Sequence, residues 1–169
     1  MEKVKILAPT DFSEISVGGV RYALEMAVSL GAEVILYHVI VGGDNLFSTY
    51  EDLNPARPLL QIETCRLDKF VKEKLADYCS LVEIRQVVEI GAPHVNIVEK
   101  AEREAVDMIV MSTHGRTGID HFLLGSVTEK VVARASCPVL TIPPIERRTS
   151  KAKQAESSGR VLVQPERRH

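Results

Sequence analysis

Tryptophan is absent from the chain, and aromatic residues make up only 5% of its 169 residues. A core of ordinary size must then come from aliphatic side chains, and the 45% hydrophobic content supplies them, chiefly as Val, Ile, Leu and Ala. That composition suits a parallel sheet covered by helices, whose strands read as continuous apolar runs. No run of ~18 apolar residues occurs, which excludes a membrane-spanning helix. The three cysteines, Cys65, Cys79 and Cys137, are odd in number, widely spaced and form no CxxC pair. They are expected to be reduced packing residues of a cytoplasmic protein. The start, MEKVKILAPTDFS, enters an apolar strand at once and carries no leader pattern.

Charge is nearly balanced at −2, but unevenly distributed. Residues 1–144 carry 14 Lys+Arg against 20 Asp+Glu, a net of −6, whereas residues 145–169 carry 7 against 3, a net of +4. The reading is one domain over 1–144 and a basic, flexible tail over 145–169. The tail lacks interleaved aromatics and the body is acidic, so nucleic acid is not the expected partner.

The segment from Met108 to Pro138 carries the most chemistry. Met108 to Met111 is a short apolar run, as in a buried strand. The small, turn-prone Ser112, Thr113, His114 and Gly115 follow. Gly125-Ser126 then opens a stretch with Val127, Val131 and Ala135 at helical spacing. Glycine lets backbone N–H groups approach an anion, and a helix N-terminus adds unpaired donors and a positive dipole end. The pattern fits a phosphate cradle or a plain strand–turn–helix connector. It is neither a Walker loop nor GxGxxG.

Elsewhere strands alternate with helices. Val4 to Ala8 is a strand stopped by Pro9. Asp11 and Ser13 offer acceptors at a helix entry, and Val17, Val20, Leu24, Ala27 and Val28 carry that helix to Gly31. Val34 to Val41 reads as a central strand. Residues 42–61, with Gly42, Gly43, Asn45, Asn54, Pro55 and Pro58, read as a long irregular segment, a candidate lid. A second helix covers Leu67 to Tyr78, an alternating edge strand Leu81 to Ile90, a third helix Ile97 to Ala105, and a last strand Val139 to Ile142. This alternation implies an α/β fold: an open parallel sheet with helices on both faces. Ligands in such sheets bind beyond the carboxyl ends of the strands. The polar ends there are Pro9-Thr10-Asp11 and Ser112 to Gly115. His38, in an apolar strand, reads as a hydrogen-bonded core histidine, and His114 and His121 lack metal-ligand spacing.

PTDFSE at 9–14, LYHVI at 36–40, VEIGAPHVNIVEKAEREAVDMIVMSTHGRTG at 88–118, LLGSVTEKVV at 123–132 and CPVLTI at 137–142 resemble the universal stress protein family. The resemblance spans residues 3–143. It implies a Rossmann-like sheet of five strands in the order 3-2-1-4-5 and a homodimer through the last strand, 137–142. One branch of the family binds ATP with the signature Gly-x2-Gly-x9-Gly-Ser/Thr. Gly115 and Gly125-Ser126 match its later elements, while Ser112 stands where the first glycine falls. Serine fits there if the glycine only keeps the loop slim. A left-handed φ would strain it by roughly 1–3 kcal/mol. The slim-loop case is expected.

The resemblance also implies roles. Asp11 accepts from the ribose, besides or instead of capping a helix. Pro9 and Thr10 shape the pocket wall, Val39 offers main-chain groups to the adenine, and Met111 packs near the base. Gly115, Gly125, Ser126, Val127 and Thr128 hold the phosphates, with Ser112 beside them and Arg116 neutralising charge. Thr128 has the alternative of bonding its own helix. Mg²⁺ would arrive through the ATP phosphates rather than protein ligands. No nucleophile–base pair, paired carboxylates or metal cluster is evident, so the expectation is a regulatory protein using ATP as a conformational ligand, with slow hydrolysis at most. Two alternatives are a dimeric interaction protein of the non-binding branch and an adenosine-nucleotide enzyme. The enzyme would need a catalytic loop that the sequence does not contain.

Overall fold

The computed structural model describes residues 3–42, 56–113 and 124–144. The expectations for 43–55, for His114, Gly115, Arg116 and His121, and for the tail fall outside these residues. The elements are β1 (Lys5–Pro9), α1 (Glu14–Leu30), β2 (Glu33–Val41), α2 (Ala56–Lys74), β3 (Glu83–Gly91), α3 (Pro93–Arg103), β4 (Met108–Ser112), α4 (Ser126–Arg134) and β5 (Val139–Ile142). A 3₁₀ turn over Ala76–Tyr78 follows α2.

The five strands form one parallel sheet in the order β3-β2-β1-β4-β5. Side chains alternate across each strand and divide the core in two. Ile6, Ala8, Val34, Leu36 and Val110 face α1 and α2, meeting Val20, Leu24, Leu67 and Phe70. Leu7, Ile35, Tyr37, Ile109 and Met111 face α3 and α4, meeting Ile97, Ala101 and Val131. The sheet is thus covered on both faces, and its inner strands are mostly apolar because neither face meets water.

Local chemistry sets the ends of α1. Ser13 Oγ accepts from the Ser16 N–H at 3.1 Å, and Gly31 ends the helix at φ 63. The cap is therefore Ser13, while Asp11 acts one step earlier, on Ser13 itself. The edge position expected for the alternating strand holds: among the described residues β3 pairs with β2 alone, in nine residue pairs from Glu33↔Glu83 to Val41↔Gly91.

Three expectations are corrected. Residues 56–61 are not irregular but form the first turns of α2. Pro58 is tolerated there because first-turn N–H groups have no intrahelical acceptor to lose. The third helix stops at Arg103, and Ala105 lies beyond it at φ 48. Cys65 and Cys79 are exposed rather than packed, and Cys137 is half-buried.

Candidate functional site

β1 connects to one face of the sheet and β4 to the other, so the chain diverges at their carboxyl ends and leaves a crevice. A cleft of ≈ 530 Å³ lies there. Its wall brings together Pro9, Thr10, Asp11, Val39, Met111, Ser112, Gly125, Ser126, Val127 and Thr128, every described member of the set singled out in the sequence.

The loop after β1 is held rigidly. Thr10 N–H donates to the Tyr37 carbonyl at 2.8 Å, which continues the β1–β2 ladder by one step. Thr10 Oγ1 accepts from the Phe12 N–H at 3.1 Å and lies 3.0 Å from Ser16 Oγ. Asp11 Oδ1 accepts from the Ser13 N–H at 3.0 Å and from the Ser13 hydroxyl at 2.6 Å. These bonds fix the carboxylate at the cleft wall. Phe12 pays for the tight turn with a left-handed φ of 64, a conformation that costs a non-glycine residue of order 1–3 kcal/mol.

Across the cleft, Thr113 N–H donates to the Ile142 carbonyl at 2.9 Å, and Gly125 N–H donates back to the Thr113 carbonyl at 2.6 Å. Thr128 Oγ1 donates to the Ser112 carbonyl at 3.0 Å, tying α4 to the end of β4 rather than to its own helix. Gly125 sits at the N-cap of α4 with φ −70 and ψ 156, and among the described residues no side chain caps the helix. The first-turn N–H groups of α4 keep no intrahelical acceptor, and this end carries the positive pole of the helix dipole. Ser112 is buried and has no left-handed φ; among the described non-glycine residues only Phe12 and Ala105 do. A serine therefore stands there without backbone strain.

The remaining wall comes from residues that the sequence reading did not place there. His38 is hydrogen-bonded, as expected, its Nδ1 lying 2.8 Å from the Thr10 carbonyl oxygen, yet it also lines the cleft. Glu63 and Arg66 reach the cleft from α2. Their signal was hidden because the start of α2 read as loop. Tyr37 is fully buried, and its hydroxyl donates to Glu89 Oε2 at 2.6 Å. Burial pushes the Tyr37 phenol well above its ordinary range, and the Glu89 hydrogen bond adds to this. Burial would raise the Glu89 carboxyl, but hydrogen bonds from Tyr37, Lys100 and Arg103 outweigh it and hold the group below its usual range. Among the described residues no cluster of His, Cys, Asp or Glu could hold a metal ion, and no helix is long and apolar enough to cross a membrane.

An open parallel sheet wound on both faces, with a cleft at the divergence of its connections, defines a Rossmann-like α/β domain. The model of the Universal stress protein family matches residues 4–143, and the chain belongs to that family. Universal stress protein MJ0577 of Methanocaldococcus jannaschii is 33% identical over 153 residues, covering 82% of this chain and 93% of that protein. Its solved structure superimposes with a TM-score of 0.65 at 35% identity, over 85% of this chain and 97% of that one. Universal stress protein MJ0531 of the same organism is 35% identical over 142 residues, covering 82% of this chain and 81% of its own. The crystal structure of a universal stress protein in complex with cAMP shares the fold, with a TM-score of 0.63 at 24% identity over 82% of this chain and 96% of that one.

Proposed function

We propose that the cleft binds an adenine nucleotide, ATP in the first instance, and that the protein is a regulatory stress-response protein using the nucleotide as a conformational ligand. The observation that carries this reading is the N-terminus of α4, with a glycine at its N-cap, opening on the cleft at the divergence of β1 and β4. In this reading the N–H groups of Ser126, Val127 and Thr128 and the Ser126 hydroxyl receive the phosphates, with Gly125 leaving room for their approach. Gly115 and Arg116 complete the cradle. Asp11, with its orientation fixed by Ser13, accepts from the ribose. Val39 and Met111 border the base, and Pro9, Thr10 and Ser112 close the wall. Mg²⁺ would be carried by the ATP phosphates. The same fold accommodates cAMP in the protein noted above, which makes adenine nucleotides the ligand class to test first.

Among the described residues of the cleft wall no nucleophile is paired with a base, and in this reading hydrolysis is slow at most. A homodimer through β5 accompanies this reading: β5 pairs with β4 alone, and Leu140 on it is exposed. Calorimetric titration of the full chain with ATP, ADP and AMP, with and without Mg²⁺, tests the proposal. Saturable binding of one nucleotide per chain is expected. No heat with any of the three at millimolar concentration would leave the dimeric interaction protein as the better reading.

A further inference from the structure

The reading above uses the α4 side of the cleft and leaves the α2 side without a role. α2 packs on the face of the sheet opposite α4, so the two helices wall the cleft from opposite sides. On the α2 side stands a carboxylate. Glu63 lines the cleft, and its side chain is only 16% exposed. Its two contacts both run to the same oxygen, Oε2: Arg66 Nη1 at 3.4 Å and His38 Nε2 at 3.7 Å. The first is a long charge-assisted hydrogen bond, and the second is an ion pair only when His38 is protonated. Among the described residues, Oε1 accepts no hydrogen bond.

Glu63 is also held in place. The Arg66 guanidinium lies 4.4 Å over the Phe12 ring, and that ring lies 4.3 Å from the His38 ring. Glu63, Arg66, Phe12 and His38 thus form a closed circuit linking α2, the loop after β1, and β2. The left-handed backbone of Phe12 places its ring in this circuit, immediately after Asp11. A strained residue held by its surroundings beside a cleft is a common mark of a ligand site.

A carboxylate accepts hydrogen bonds at about four lone-pair positions and donates none. At Oε1 itself a phosphate oxygen, which has no proton to give, finds no partner, whereas an O–H or N–H donor does. The cleft therefore fits a ligand that is anionic toward α4 and presents a hydrogen-bond donor to Glu63. We propose that Glu63 determines specificity in this cleft, its Oε1 accepting a hydrogen bond from a neutral donor of the nucleotide whose phosphates rest on α4. Arg66 is a positioning residue that donates to the other carboxylate oxygen, with the His38 ring beside it. This inference rests on the nucleotide reading. The donor is either the exocyclic amine of the base or a ribose hydroxyl.

The full chain and its Glu63→Ala variant are titrated with ATP, purine riboside 5′-triphosphate, 2′-deoxyATP and 3′-deoxyATP. Far-UV circular dichroism checks folding, and Glu63→Met, of similar length but without an oxygen acceptor, replaces the alanine variant if that one unfolds. Glu63→Ala is expected to weaken ATP by about tenfold, the loss of one charge-assisted hydrogen bond. That loss should disappear with the analogue lacking the donor. Disappearance with purine riboside triphosphate assigns the base amine, and disappearance with a deoxy analogue assigns the sugar. An equal effect on all four ligands, whether weaker, unchanged or tighter, overturns the inference while leaving the nucleotide reading intact. A wild-type chain that binds none of the four removes the nucleotide reading and this inference with it.

Discussion

Gly19 of α1 lies against the backbone of Ser112 at the end of β4: a Cβ on Gly19 would sit 2.7 Å from the Ser112 nitrogen. The other near atoms, the Met111 carbonyl carbon and the Ser112 Cα, are also backbone, so no flexible side chain can yield. Gly18, one residue earlier, has nothing within 4 Å of the same position. Alanine at the two neighbours should therefore act with opposite sign. Gly18→Ala is expected to raise stability by roughly 0.4–1 kcal/mol through helix propensity and a less flexible unfolded chain. Gly19→Ala is expected to lower it by about 1–3 kcal/mol through overpacking and to weaken ATP by displacing Ser112. Thermal melts and titration of both variants check this, and equal effects would contradict the close packing.

The phosphate cradle is tested at Gly125. Its φ of −70 and ψ of 156 are open to any residue, so Gly125→Val should fold. The branched side chain would stand where the phosphates approach α4, and ATP binding should be abolished. Calorimetry that finds unchanged affinity in a folded variant would place the phosphates elsewhere.

Ser112→Gly restores the family's glycine pattern. Ser112 needs no left-handed φ, and its contact to Thr128 runs through its carbonyl oxygen, which glycine retains. Equal or somewhat tighter ATP binding is expected. Much weaker binding would mean that the hydroxyl itself touches the ligand.

Acid stability depends in part on Glu104. The Arg85 hydrogen bond, with help from Lys100, holds its carboxyl down from 4.5 to about 2 against the opposing effect of burial. The unfolded chain binds that proton more readily, so this stabilisation is full above about pH 5 and fades as pH falls from 4.5 towards 2. Glu104→Gln should melt below wild type at neutral pH, with the gap closing across that window. A gap independent of pH would show that Glu104 contributes through packing alone.

Assembly is tested on β5. Replacing Val139 and Leu140 together with Lys should give monomer or insoluble protein. Light scattering that still reports a soluble dimer would point to another surface.

The inner strands were legible because burial on both faces makes them continuous apolar runs, as in Val34 to Val41. The alternation of Glu83, Arg85 and Glu89 with Ile84 and Val88 likewise marked β3 as an edge. The polar ends of β1 and β4 and the Gly125-Ser126 pair were legible as small, polar residues where strands end, while the family resemblance implied Val39, Met111 and Val127 in the same cleft. Glu63 and Arg66 were not legible. Pro55 and Pro58 masked the start of α2, and an ordinary charged helical stretch carries no sign that one of its faces looks into a cavity. Nor does sequence reveal that Phe12 adopts a left-handed turn, since phenylalanine is a poor candidate for it.

The two rims of the sheet are chemically unlike. Along β3, Arg85 reaches Glu104 at 2.6 Å, Glu89 binds Arg103 at 2.9 Å, and Lys3 holds Glu83 at 3.1 Å, so charge guards this border against a strand from another chain. β5 carries no charged residue. If two copies paired rim to rim through β5, each would use its one uncharged border, and the guarded border would offer no place for a third. Growth into a fibre would need a head-to-tail match between dissimilar rims, which this asymmetry opposes.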